Sequence, residues 1–150
     1  LTDRVVAAIE GAALATGTRA EIDLDPVPPY LPLETNTALT GRWTRAFAAR
    51  GHDIPPPAAP PQGGPSTDMG NVSRLVPSIH PSLGLGGPDD VFPHNAAFAD
   101  LTVLPPAIDA LVDAAAALAA TAVAYVSDPE LRAAAAAEFA ASGGPSRWED

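Results

Sequence analysis

The sequence predicts an α/β fold, helices packed on a sheet. Two observations carry that expectation. Four stretches repeat apolar residues at helical spacing, near residues 2–16, 37–50, 106–126 and 129–142. One stretch, Thr18 to Asp25, alternates strictly, with Ala20, Ile22 and Leu24 on one side and Arg19, Glu21, Asp23 and Asp25 on the other. Alternation of this kind describes a strand with one wet face, usually in an antiparallel sheet.

The elements follow in order. Val5, Val6, Ile9, Ala12 and Ala13 make residues 2–16 a short amphipathic helix, with Thr2 as its cap and Gly17 as its stop. After the expected strand, Pro26, Pro28, Pro29 and Pro32 enforce an extended crossing, because proline fixes its own φ and disfavours helix in the residue before it. From Thr37, Leu39, Trp43 and Phe47 fall four residues apart on one helical face, and Gly51 ends the run. Residues 55–65 are a proline, alanine and glycine tract that reads as a semi-rigid surface loop. In Leu75 to Leu85, Pro77 and Pro81 remove ladder donors, so broken strands whose ends face a cleft are expected. From Pro106, a stripe of Ile108, Leu111, Val112, Ala115, Leu118, Ala119, Ala122 and Val126 predicts a long helix lying across a sheet. Asp128 followed by Pro129 starts a last alanine-rich helix that stops near Gly143 and Gly144, with a frayed tail at 145–150.

Composition narrows the classes of function. The 150 residues match one ordinary domain, and 47% hydrophobic content suffices for a core. Much of that content is alanine, which buries little area, so the core is expected to be weak. The net charge is -10, lysine is absent, and the arginines are scattered, which excludes a phosphate-neutralising stripe for nucleic acid and a basic face for an anionic membrane. The apolar run Val103 to Val126 contains Asp109 and Asp113, which argues against a membrane span. With no cysteine, a metal site must use imidazole and carboxylate ligands, and a cytoplasmic location fits. Leu1 to Ala8 has Asp3 and Arg4 within a helical pattern and does not resemble a signal peptide.

The chemistry concentrates in Ser66-Thr67-Asp68-Met69-Gly70-Asn71-Val72-Ser73, in Pro77-Ser78-Ile79-His80-Pro81, and in Phe92-Pro93-His94-Asn95. Polar side chains clustered on loops within an apolar, proline-rich region point to chemistry more than to packing. Each has an ordinary reading as well. Asp68 is either a carboxylate that steadies a metal ligand or faces substrate, or else Asp68 or Thr67 simply caps a short helix. Asn71 and Ser73 are turn residues or donors to a substrate carboxylate. His80, at a strand end, faces the cleft or is a hydrogen-bonded structural histidine. His52 follows the helix stop at Gly51 and needs no function. The glycines at 84, 86 and 87 lack the lysine and following helix of a phosphate loop, and no nucleophile elbow is present.

Taken in order, these pieces resemble the aminoacylase and carboxypeptidase-like zinc metallopeptidases, peptidase family 20 of clan MH, and within it amidohydrolases similar to p-aminobenzoyl-glutamate hydrolases and to β-alanyl dipeptidases. The resemblance covers most of residues 5 to 126 and rests mainly on the Ser66 to Ser73 motif with Pro77 to Pro81. It implies the carboxy-terminal part of an α/β catalytic domain at 37–144, the last helix and strand of an α+β lid or dimerisation domain at 1–25, and a crossing linker at 26–36. It implies that His94 is a ligand to zinc, or to manganese in its place, with Asp68, Asn71, Ser73 and His80 around ligand or substrate. The implied activity is hydrolysis of the amide bond in a small N-acyl amino acid or dipeptide by a homodimeric parent enzyme. Relatives carry the remaining ligands and the water-activating glutamate ahead of the region matched here, so no catalytic base is assigned among these residues, and this stretch by itself is expected to be inactive. The contrasting expectation is a non-catalytic helical interaction or regulatory module.

Overall fold

A computed structural model describes residues 1–24, 29–52, 54, 67–88, 91 and 93–147. Among them the chain forms six helices and no strand: α1 (Thr2–Thr16), α2 (Thr37–Ala48), α3 (Met69–Ser73), α4 (Ala96–Thr102), α5 (Pro105–Ser127) and α6 (Pro129–Ala141). The α/β expectation is therefore overturned, for the lid strand and for the sheet of a catalytic domain alike. Alternation at 18–24 states which face a sheet would bury, but a strand also needs a neighbour to accept its hydrogen bonds, and an isolated pairing is marginal even with a hairpin. No described segment offers one. Residues 75–85, expected as broken strands, form none: Leu75 and Val76 close the turn after α3, the rest is irregular, and the stretch is linked to the start of α2 by Asn36 N–H to Ser78 O at 2.8 Å. The proline tract expected as a surface loop at 55–65, and the start of the crossing at Pro26 and Pro28, lie outside the described residues.

The helices form for the local reasons their sequences carry. Gly17 takes a left-handed φ of 67° and ends α1, as expected, but Thr2 lies inside the helix and Leu1 occupies the cap without a side-chain bond. Asp128 Oδ1 accepts the Glu130 and Leu131 amides and starts α6, with Pro129 in its first turn. Gly144, also left-handed at φ 70°, donates to Phe139 O and closes the other end. Ser146 N–H then reaches back to Arg74 O at 2.9 Å, so the tail expected to fray is held at its beginning.

α2, α5 and α6 pack on one another, α4 rests on α5, and α1 packs against no other helix. The core is small. Leu39, Trp43 and Phe47 bury the expected face of α2, and Trp43, Phe47, Ala114 and Ala117 form its centre. α5 differs from its expected orientation. It buries Ala107, Ala110, Ala114, Ala117 and Thr121, and leaves Ile108, Leu111, Val112, Leu118, Val123 and Val126 exposed. Alanines let the α5 backbone come close to the bulky Trp43 and Phe47, and the larger side chains are left on the far side.

The α2 N-terminus is the best-satisfied junction. The first amides of a helix have no intrahelical acceptor. Here Glu138 of α6 accepts from Thr37 N at 2.7 Å and Ala38 N at 3.1 Å, and Asn36 Oδ1 accepts from Leu39 N at 3.1 Å. The Asn36 amide also donates to Ala135 O at 3.0 Å, tying α2 to α6 in a buried position.

Candidate functional site

The chemistry-bearing motif folds as α3 and the turn before it. Asp68 stands at the N-cap of α3 but makes no capping bond, and its exposed carboxylate is met by the Thr67 hydroxyl at 3.4 Å. The amide at the start of α3 is met by Thr67 instead, whose hydroxyl accepts from Met69 N at 3.3 Å, and the Asp68 carboxylate faces solvent. Asn71 and Ser73 are engaged in architecture. Asn71 accepts from Leu31 N at 2.9 Å and donates to Pro29 O at 3.0 Å, while Ser73 Oγ accepts from Glu34 N at 3.0 Å and donates to Gly70 O at 2.7 Å. Together they button the extended segment 29–34 onto α3. Gly70 is required by the same contact, because a Cβ there would collide with the Leu31 carbonyl.

His94 lies on the loop before α4, a short helix the sequence analysis did not expect. Asn95 caps α4 through its side chain, accepting from Phe98 N at 2.8 Å, which fixes the loop's exit. His94 itself is exposed and has a φ of 72°, the one non-glycine residue with positive φ among those described. Left-handed backbone costs an L-residue roughly 1–2 kcal/mol, and single residues held there cluster at functional sites. His80 is exposed on the extended 77–83 segment, not buried in a hydrogen-bonded niche.

A cleft of about 230 Å³ opens beside the motif, lined by Glu34, Asn36, Ser73, Ser78, Glu138 and Ser142 among others. Neither Asp68 nor His94 lines it. A larger apolar groove of about 480 Å³ runs between the 76–79 segment and α5, with Leu39 and Leu118 in its walls. No three of the described His, Asp and Glu residues come together as a metal-binding group. A structural or catalytic zinc takes three or four protein ligands. The described residues bring no such set together.

The structure adds a cluster that sequence reasoning missed. His52 Nε2 lies 2.8 Å from Asp113 Oδ2, and Arg50 Nε lies 2.5 Å from Asp113 Oδ1. The His52 ring stacks on Phe47, centroids 4.0 Å apart and planes within 3°, and Phe47 stacks on Trp43 at 4.8 Å. His52, which the sequence left without a role, fastens the end of α2 to α5. The hydrogen bond from His52, then that from Arg50, hold the Asp113 carboxyl below its ordinary pKa. At the other end of α2, partial burial works to raise the Glu138 carboxyl, and the Thr37 and Ala38 donors outweigh it, so that group too is lowered. Nothing in the local sequence signals a pairing between residues 61 apart. No family model, curated protein or solved structure matches this chain.

Proposed function

We propose that the chain supplies one metal ligand and part of the pocket wall of a zinc-dependent amidohydrolase that cleaves the amide bond of small N-acyl amino acids or dipeptides. The observation that carries the proposal is His94: an exposed imidazole kept in a costly left-handed conformation at a capped loop-to-helix junction. A packing role does not account for it, since its side chain is exposed. A neutral imidazole donates a lone pair to zinc, and the bound ion would acidify a water and polarise a carbonyl. Asp68, exposed ahead of α3, is in this proposal the carboxylate that faces a ligand or substrate. The remaining ligands and the general base belong, in this proposal, to polypeptide not contained in these residues. The contrasting reading, a helical interaction module, draws support from the exposed apolar face of α5.

Calorimetric titration with zinc tests the proposal. The chain should bind weakly, no tighter than about 10 μM, because a single imidazole falls well short of a full ligand set. His94→Ala should remove that binding, and His52→Ala should leave it in place. In the complete enzyme His94→Ala should reduce turnover by orders of magnitude with the circular dichroism unchanged. Full metal content and activity after His94→Ala would overturn the assignment.

A further inference from the structure

The polar cleft between α6 and the 34–36 and 77–78 segments is set apart by what its side chains have already given away. A serine hydroxyl has one proton to donate. Ser73 donates it to Gly70 O at 2.7 Å, Ser78 to Val76 O at 2.9 Å, and Ser142 to Phe139 O at 2.9 Å. All three line the cleft of about 230 Å³, so they offer a ligand lone pairs and no proton. Ser73 has one of its lone pairs taken by Glu34 N, and Ser78 and Ser142 keep theirs. Glu34 and Glu138, in the same wall, only accept. Arg74 holds Glu34 through Oε1 at 2.6 Å, and a carboxylate has lone pairs beyond that bond. The donors that remain are the Thr35 hydroxyl, which turns either way, and the second N–H of Asn36, a residue 5% exposed.

The backbone adds to this bias. Phe139 lies in the last turn of α6 and Ser142 is its C-cap, so the negative end of that helix forms part of the wall. The positive end of α2 adjoins the cleft as well, but its first amides are taken, Thr37 and Ala38 by Glu138 and Leu39 by Asn36. An anion finds no free N–H there. The net charge of -10 draws cations to the chain as a whole.

We propose that this cleft is a binding site for a small primary ammonium ion. Such a group carries a positive charge and N–H donors only, which is the complement of carboxylates and serine oxygens whose own protons are committed. Pro77 and Phe139 supply an apolar wall for a short carbon chain. The volume lies below the roughly 300–1,000 Å³ of pockets that take drug-sized molecules, which limits the ligand to an amine of a few carbons. A carboxylate of the same size meets like charge and lone pairs, and an alcohol brings one donor and no charge. The site stands apart from the zinc reading, since neither Asp68 nor His94 lines it.

Titration of the isotope-labelled full chain with butylammonium chloride, followed by amide NMR at a constant ionic strength of about 0.15 M, tests this. Saturable shifts are expected at Ser78, Ser142 and the Asn36 side-chain amide, with a dissociation constant of about 1–10 mM, as the few atoms of the ligand allow. Butanol should bind at least about tenfold more weakly, and sodium butyrate should give no saturable shift. Glu34→Gln removes one charge and Ser142→Leu fills the cleft; each should weaken binding at least about threefold. Ser127→Leu, at the exposed end of α5, should leave binding unchanged, and circular dichroism confirms that each variant is folded. Should Ser142→Leu fail to fold, Glu34→Gln alone decides. Absence of saturation by about 100 mM overturns the proposal, and so does butyrate binding as well as butylammonium. Shifts spread over the acidic surface and indifferent to Glu34→Gln would show counterion screening only, and would also overturn it.

Discussion

Replacing Asn36 by alanine should be among the most damaging single changes in this protein. The residue is 5% exposed, and its side chain makes two bonds that water cannot replace: Oδ1 takes the Leu39 amide, and the amide donates to Ala135 O. Loss of an N-cap of this type costs about 1 kcal/mol. The Ala135 carbonyl keeps its place in the α6 ladder, so loss of the second bond to it adds the net worth of one hydrogen bond, about 0.5–1.5 kcal/mol. The sum, about 1.5–2.5 kcal/mol, is a sizeable part of the roughly 5–15 kcal/mol that holds a domain together. For a chain of this length it lowers the melting temperature by about 3–10 °C. Urea unfolding followed by far-ultraviolet circular dichroism measures it, with an unchanged slope showing that the two end states are the same. Asn36→Asp separates the two bonds. It keeps the acceptor for Leu39, loses the donor to Ala135, and adds a buried carboxylate beside Glu138, so its deficit should shrink as the pH falls and that carboxylate protonates. An Asn36→Ala protein within about 0.5 kcal/mol of wild type would refute the reasoning.

Gly70→Ala should destabilise by about 2–3 kcal/mol, because the new methyl must displace the Leu31 carbonyl and with it the bonds from Asn71 and Ser73; thermal unfolding beside a Gly11→Ala control, where a Cβ meets no neighbour, measures it. Asp113 and Glu138 both have lowered pKa values in the folded chain. Their contribution is present above the ordinary carboxylate range and is lost as the pH falls through the folded values. The urea midpoint should therefore decline in acid, and Asp113→Asn or Glu138→Gln should each flatten part of that decline; an unchanged acid profile in the double variant would contradict the assignment. His94→Gly should raise stability by about 0.5–1 kcal/mol by relieving the left-handed backbone while abolishing zinc binding, and a loss of stability instead would make His94 a structural residue.

Local signals were legible where one residue decides one feature. Gly17, Pro129 with Asp128, and the Leu39, Trp43, Phe47 face needed no tertiary knowledge, because capping and helical periodicity act over a few residues. The short helix α4 after His94 went unread, although Asn95 is a residue type that caps helices. What failed depended on partners distant in sequence. The 18–24 alternation describes the faces a strand would have, but the segment forms no strand, because no described neighbour pairs with it. On α5 the more hydrophobic stripe was expected to face inward, yet the core took the alanines. The deciding factor was Trp43 and Phe47 on α2, whose volume demands small residues opposite, and periodicity within α5 carries no record of them.

The same fact bears on function. The bulkier apolar residues of α5 are left exposed, and His94, held at φ 72°, is exposed as well. Both lie outside the described core, where α2, α5 and α6 are already joined through Asn36, Glu138 and Asp113. The interior of this chain is thus a scaffold whose helix junctions are made, and what its surface can do is decided by what it meets. Zinc titration of the chain and of His94→Ala probes that surface and leaves the scaffold intact, because His94 takes no part in those junctions.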